Sequence, residues 1–376
     1  MNKMSVLIPD GESWLAQGVF DSLIEADEVA IVVLATNPTS LHLKYSAFTK
    51  SFIEFIDLSD DPQLWAKKVV EVVQKEEIDV VLPISLSVER LAALEQSELT
   101  KLTKIAPYIS IDHISLARNK ADFSIWLSQH NFAQPATVVD AIHFPDSASL
   151  KSLRFPVLIK PRLGFAGQGI VKFDTFETLV SYIKQHKIDV KQYIFQSYVK
   201  GYDVDCNFLC DKGKVIAYSV QKPMEASYSK FQPPYNISFY HEPEVVRLGT
   251  QILERLNWTG VANFDFRFDL EDHTLKVLEL NPRYWRSVFA STAAGVNFPY
   301  LACVYALRGE IPPQVYNDIH FVQSSYLINS FVKHSLRFKR FPFDKYRSTL
   351  KVNLRDPMPK LYQFASKVSQ RLKRKL

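Results

Sequence analysis

Apolar and polar positions follow three rhythms along this chain, and each rhythm sorts a region. In residues 1–112 short unbroken apolar runs stand at 6–9, 29–35 and 80–84, the pattern of parallel strands covered on both faces. The segment 62–77 between them has helical spacing, with Leu64, Val69, Val72 and Val73 as its inward stripe. Residues 112–130 repeat that spacing through Ile114, Ala117, Ala121, Ile125 and Leu127, with Lys120 projecting from the middle. Strands are expected next at 155–160, 193–196, 204–209 and 215–221, then a helix over 244–256. The two-residue rhythm is clearest in 261–269 and 275–280, separated by the turn formers Glu271, Asp272 and His273. That is a β-hairpin.

Period two also assigns faces. Asn263, Asp265, Arg267 and Asp269 share one side of the first strand, and Glu279 and Asn281 share one side of the second. Asp265 can therefore stand opposite Glu279, with Asn281 just beyond. Two carboxylates and an amide oxygen converging from paired strands make a hard-oxygen site, of the kind Mg²⁺ occupies alongside phosphate oxygens. Pro282 ends the strand and throws Arg283 and Arg286 forward beside it. A solvated hairpin with surface charges has the same pattern and stays open as the alternative.

Three further stretches carry potential chemistry. The strand FPVLIK ends in Lys160, and Gly164, Gly167 and Gly169 follow in a loop whose amides could wrap a polyphosphate. No Gly-Lys-Ser/Thr opens a helix there, so this is not a P-loop, and a glycine loop alone is equally a mobile hairpin. In YIFQSYVKGYD, Gln196, Tyr198 and Val199 form a connector able to offer backbone groups to an adenine edge, with Asp203 placed for a ribose diol; an interdomain hinge reads the same way. The polar, Pro-rich stretch 223–242 is long for a compact domain and reads as a lid or binding loop. Lys222, Ser229, Lys230, Tyr235 and His241 are its candidates to face a substrate, His241 being equally an ordinary loop histidine. The first turn, Asp10-Gly11-Glu12-Ser13, has one glycine where a dinucleotide fingerprint needs three.

Composition narrows the class. The 376 residues suit two or three domains, and no apolar run reaches the roughly 18 residues that a membrane span needs. The apolar core of the N-terminal stretch, residues 6–8, is too short for a signal peptide, so the expected setting is the cytoplasm. Three cysteines are too few for a disulfide framework or a cysteine zinc site, and Cys206 and Cys210 read as packing residues on one strand face. The net charge of +5 is unevenly spread: 14 of the 45 Lys and Arg but only two of the 40 Asp and Glu lie in 333–376. That segment carries +12 and the rest of the chain, 31 basic against 38 acidic groups, carries −7.

The order of features resembles the ATP-grasp superfamily: helix lysine, strand lysine with glycine loop, hinge connector, then a carboxylate hairpin ending in ELNPR. The likeness spans roughly residues 112–312 and is most specific in FPVLIKP…GFAGQGI with VLELNPR. Because NPR is followed by a second basic position and Ser, it looks most like the carbamoyl-phosphate-synthetase-like and carboxylate–amine ligase branches. The resemblance implies an α/β architecture: an ATP-grasp fold of two α+β subdomains clasping ATP, preceded by a Rossmann-like α/β domain. The expected units are 1–112 (Rossmann-like), 113–312 (ATP-grasp, with a small lid subdomain at 113–190 and a large subdomain at 191–312) and 313–376 (basic C-terminal extension).

The resemblance also implies roles. Lys120 and Lys160 would meet ATP phosphates under the loop of Gly164, Gly167 and Gly169. Gln196, Tyr198 and Val199 would surround adenine, with Ser197 departing from the acidic residue common at its position, and Asp203 would hold ribose. Asp265, Glu279 and Asn281 would bind Mg²⁺ (or Mn²⁺). Arg283 and Arg286 would steady the transferred phosphate and a carboxylate substrate, for which the planar guanidinium suits bidentate contact. The implied reaction activates a carboxylate as an acyl-phosphate that an amine attacks, giving an amide, ADP and phosphate. Its small-molecule partners are a carboxylate and an amine. The alternatives are a carboxylase-like or kinase-like ATP-grasp chemistry, or a catalytically silent nucleotide-binding protein.

The basic extension has its own pattern. Leu361, Phe364, Ala365, Val368 and Leu372 share one helical face among lysines and arginines. This fits either a terminal helix docked on the core or peripheral association with the anionic inner surface of a membrane. No motif for sequence-specific nucleic-acid recognition accompanies the charge.

Overall fold

The computed structural model describes residues 3–373 except 58, 60, 95–97, 142–143, 146–147, 165–166, 225–235 and 337–344. Three sheets organise them. The first is parallel, with five strands in the order β3-β2-β1-β4-β5: β1 (Met4–Ile8), β2 (Val29–Thr36), β3 (Thr49–Phe55), β4 (Val80–Val81) and β5 (Lys104–Ile105). That order is the one a doubly wound sheet adopts around its first strand. Val6, Leu7 and Ile8 are fully buried because helices cover both faces. On one face the helix Pro62–Glu76 sets Trp65, Val69, Val72 and Val73 against Leu7, Val32 and Leu34. Trp65 takes the inward position expected for Leu64, which is exposed: the large indole fills the space against the sheet. Strands β3 and β5 were not legible as apolar runs, β3 because its residues are mostly half-buried at the sheet edge and β5 because it is two residues long.

The second sheet is antiparallel, ordered β6-β9-β7-β8, from β6 (Thr137–Val138), β7 (Val157–Pro161), β8 (Val171–Phe173) and β9 (Tyr193–Ser197). The helix Phe176–Gln185 closes its core through Leu179 and Ile183. This sheet takes in β9, beyond residue 190.

The third sheet has seven strands, ordered β14-β13-β10-β11-β12-β15-β16. They are β10 (Gly201–Asp211), β11 (Lys214–Pro223), β12 (Ile237–Phe239), β13 (Gly260–Asp269), β14 (Leu275–Asn281), β15 (His320–Phe321) and β16 (Tyr346–Arg347). β12 lies inside the stretch expected to be a loop. Phe208, Phe264, Phe266 and the buried thiols of Cys206 and Cys210 face the helices of residues 111–129 and 243–256. The opposite face of this sheet carries the polar side chains described below. Beyond the hairpin, Val288–Ala294 and Phe298–Arg308 meet at 81° and share one core with β1, β2 and the helix Ala16–Ile24. No single described helix is long and apolar enough to cross a membrane.

Candidate active site

The hairpin supplies the floor of the site. Across β13 and β14, Asn263 pairs with Asn281 and Asp265 with Glu279, as period two requires. A β-bulge follows at Asp265/Phe266, so Phe266 faces Val277 and the inward alternation resumes with Val277 and Leu275. This is where 275–280 departs from strict alternation, Val277 and Leu278 standing side by side: Leu278 is the extra residue.

β10 and β11 extend the pattern into two rows. One row runs Asn281, Asn263, Asn207 and Ser219; the other runs Glu279, Asp265, Asp205 and Gln221. The first row is an amide ladder: Asn281 Nδ2 donates to Asn263 Oδ1 (3.2 Å), and Asn263 Nδ2 donates to Asn207 Oδ1 (2.9 Å). Because its nitrogen is spent on the ladder, Asn281 turns Oδ1 outward, where it accepts from Arg283 (3.2 Å). In the second row, burial, followed by the nearby Asp205, Glu279 and Asp203, holds Asp265 well above the usual carboxylate range. Burial pushes Asp205 up to about 7, and a hydrogen bond from Gln221 opposes that (3.1 Å). Asp205 and Gln221 were not singled out from sequence; the strand pattern Val204, Cys206, Phe208 marks Asp205 as facing the site.

Cations from the second sheet and the adjoining helices close over this floor. Lys160 is 7% exposed and donates to Gln196 Oε1 (2.6 Å). Burial lowers its pKa to about 8, and Glu279 counteracts the shift. Lys120 lies elsewhere than expected. The helix over 112–130 breaks at Asn119, whose extended backbone ends Ile111–Arg118 and whose side chain caps Lys120–Gln129. Lys120 is thus the first residue of a new helix, with its N–H bonded to Arg162 O (2.9 Å). Its Nζ reaches Gly164 O (3.0 Å) and Glu279 Oε1 (3.2 Å), bridging the glycine loop to the hairpin. The break also turns Ile125 outward and Phe123 inward. Gly164 and Gly169 sit at φ +142° and +74°, backbone that side chains disfavour, and a Cβ on Gly169 would meet Pro161 at 2.8 Å.

The connector differs in detail from expectation. The Tyr198 N–H is already bonded to Pro156 O (2.8 Å), so it is not free for a ligand. Among the described residues the Val199 N–H makes no such bond, and the Ser197 hydroxyl is buried without a partner. The connector is held by Arg267, a residue the sequence placed on the right face but gave no task. Arg267 donates to Val199 O (2.7 Å), Gly201 O (2.9 Å), the Tyr198 hydroxyl (3.1 Å) and the Asp203 carboxylate. Arg267→Ala is expected to cost about 2 kcal/mol, since four acceptors lose a charged donor, with a lower Tm and weaker nucleotide binding in calorimetry. Arg267→Lys, lacking the fork, should recover little of either.

Arg283 also donates to Tyr284 O (3.0 Å) and lies over the Trp14 ring (5.8 Å), so the first sheet's opening turn reaches the site. Arg286 is exposed next to it. Lys222 was expected to face a substrate but does not: it has the strand parity of buried Val220 and lies over Tyr240 (4.3 Å). His241 rests on Tyr316 (4.4 Å), with Asp318 at 3.7 Å, as an ordinary loop histidine would. Ser229, Lys230 and Tyr235 lie outside the described residues.

Residues 189–326 match the model of the family described as "ATP-grasp in the biosynthetic pathway with Ter operon". The large chain of carbamoyl phosphate synthase from Caldanaerobacter subterraneus subsp. tengcongensis is 25% identical over 350 residues, covering 86% of this chain and 31% of the relative. The chain thus spans under a third of the length of the curated relatives it matches. Among solved structures, the biotin carboxylase domain of Hydrogenobacter thermophilus 2-oxoglutarate carboxylase, in complex with MgADP and bicarbonate, superposes with a TM-score of 0.64 at 14% identity, covering 85% of this chain and 74% of that one. The L-amino acid ligase of Bacillus licheniformis gives a TM-score of 0.58 at 16% identity, covering 84% and 75%. The chain therefore has the ATP-grasp fold, and its sequence resembles the carbamoyl-phosphate-synthetase-like branch of that superfamily.

Proposed function

We propose that this chain is an ATP-dependent ligase that activates a carboxylate as its acyl-phosphate for attack by an amine, in the cytoplasm. The observation that carries the reading is the facing of Glu279, Asp265 and the outward Asn281 oxygen by two lysines from across the cleft. Three units would share the work: 1–112 and the stretch 223–242 on the substrate side, 113–312 around ATP, and 313–376 outside the reaction.

The residues present fit ATP with Mg²⁺. The buried, unpartnered Ser197 hydroxyl and the Val199 N–H offer an adenine edge the polar contacts it needs, with Asp203 beside the ribose and Gln196 behind. Among the described residues no three His, Cys, Asp or Glu cluster tightly enough to hold a metal ion. The candidate set is two carboxylates and an amide, which Mg²⁺ accepts when phosphate oxygens complete its shell. Bound there by Glu279, Asn281 and Asp265, the ion would neutralise charge on the transferred phosphate.

Lys160 and Lys120 would hold the polyphosphate under the loop of Gly164, Gly167 and Gly169. On that view Lys120 exchanges Glu279 and the Gly164 carbonyl for phosphate oxygens. Arg283, fixed between Tyr284 O and Trp14, and the exposed Arg286 would orient the carboxylate for in-line attack on the γ-phosphate. The amine nitrogen then attacks the acyl carbon, forming the amide bond as the bond to phosphate breaks and free phosphate leaves. No side chain forms a covalent bond, so positioning and charge carry the catalysis.

The test is ADP release over a panel of acids and amines. Release that needs both substrates and yields an amide supports the ligase. A second reading, a carboxy-phosphate chemistry, is favoured by the neighbour solved with bicarbonate; ADP release that needs bicarbonate and no other acid would replace the first reading with it. Absence of turnover across the panel, with ATP bound, would leave a silent nucleotide-binding protein.

A further inference from the structure

The C-terminal segment returns to the first sheet and docks there, but not by the face its sequence pattern suggests. Arg355 pairs with Glu25 (3.3 Å) and Asp27 (2.9 Å), Val352 is buried, and Asp356 accepts from Ala47 N (3.2 Å). The next helix, Met358–Lys373, is then held by its other side: Pro359 is buried and Tyr362 stacks on Tyr45 at 4.7 Å. The apolar stripe stays outside, with Leu361, Phe364 and Val368 exposed by 58%, 70% and 41%. Spacings of three and four residues place these side chains together on one face. A terminal helix that only completed the fold would bury this stripe; here the inward side is buried Pro359 with half-buried Tyr362, Gln363 and Ser366.

We propose that this stripe is a docking surface for an anionic lipid surface, lying in the plane of the headgroups. The occupant is argued from charge. Residues 333–376 carry +12 on a chain whose remainder carries −7, so the exposed Leu, Phe and Val belong to a strongly basic segment. That combination of apolar contact and basic charge fits acyl chains beneath anionic headgroups. A second copy of the chain is the weaker occupant, because an isologous contact would bring one +12 segment against another.

The test uses the full chain with vesicles of phosphatidylcholine alone or with about one-third phosphatidylserine. Co-sedimentation with the anionic vesicles only, lost at about 0.5 M salt as screening shortens, is the expected result. Leu361→Ser with Phe364→Ser should lower the partition coefficient about tenfold or more, since two large apolar side chains leave the lipid. The same pair should leave Tm and ATP binding unchanged. A parent chain that ignores anionic vesicles, or a double variant that binds them like the parent, overturns the proposal. A large fall in Tm in the variant would show a stripe packed within the fold, and a dimer lost in the variant would show self-association; either also overturns it.

Discussion

Glu279→Gln is expected to reduce ADP formation about 10³-fold, an effect of about 4 kcal/mol on the transition state, while Tm moves by only a few degrees. The argument begins with the pairing of Asp265 and Glu279 on adjacent strands. A neutral amide keeps the shape and one oxygen but removes half of the charge that a divalent cation would balance. Stability should barely change because two consequences oppose each other. The variant loses the Lys120 ion pair, whose side chains are 11% and 24% exposed. It also relieves Asp265, which the Glu279 charge helps to hold above the ordinary carboxylate range. ADP production at the parental rate by a folded Glu279→Gln protein would remove the metal assignment. Circular dichroism and a thermal melt must accompany the assay, so that lost activity is not lost fold.

Lys160→Met should weaken ATP binding about 100-fold, close to the 3 kcal/mol upper range of a charge-assisted hydrogen bond. The lysine is buried against Gln196, and its pKa lies near 8 against the ordinary 10.5. Two pH effects follow. Parental affinity for ATP should fall as pH rises through about 8, because the free protein then loses the cation that phosphate needs; the variant should lack that decline. For stability, the unfolded chain keeps this proton up to about 10.5 while the folded chain releases it near 8, so the unfolded state binds more protons between those values. Stability from this group therefore rises with pH across that window. Below pH 8 the folded parent must keep a buried ammonium, and Lys160→Met, free of that cost, should melt higher. Calorimetry from pH 7 to 9.5 measures the first effect and scanning melts the second. Equal ATP affinity in parent and variant at pH 7 would remove Lys160 from the phosphate site.

Local pattern made the hairpin readable before any fold was known. Strand pairing is set by period two and a short turn, so Asp265 against Glu279 and Asn263 against Asn281 follow from residues close in sequence. The same holds for the buried runs of β1 and β2 and for the glycine loop, whose positive φ values only glycine accepts easily. What the sequence by itself could not determine depends on partners far away in the chain. Asn119 ends one helix and caps another because Lys120 N–H finds Arg162 O, and a helical periodicity of apolar residues carries no sign of that acceptor. Asp205 joins the carboxylate row only once β10 is placed beside β13. Arg267 becomes the clasp of the connector only when β9 and β13 are brought together, giving its guanidinium four acceptors. Lys222 fails as a site residue by one step of strand parity, which register alone decides. The apolar stripe of the last helix was plain from its spacing, yet which face docks was settled by Tyr45, Glu25 and Asp27, more than 300 residues earlier in the chain. Sequence sets which side chains share a face; only tertiary packing determines what that face meets, because burial and charge pairing are properties of two surfaces.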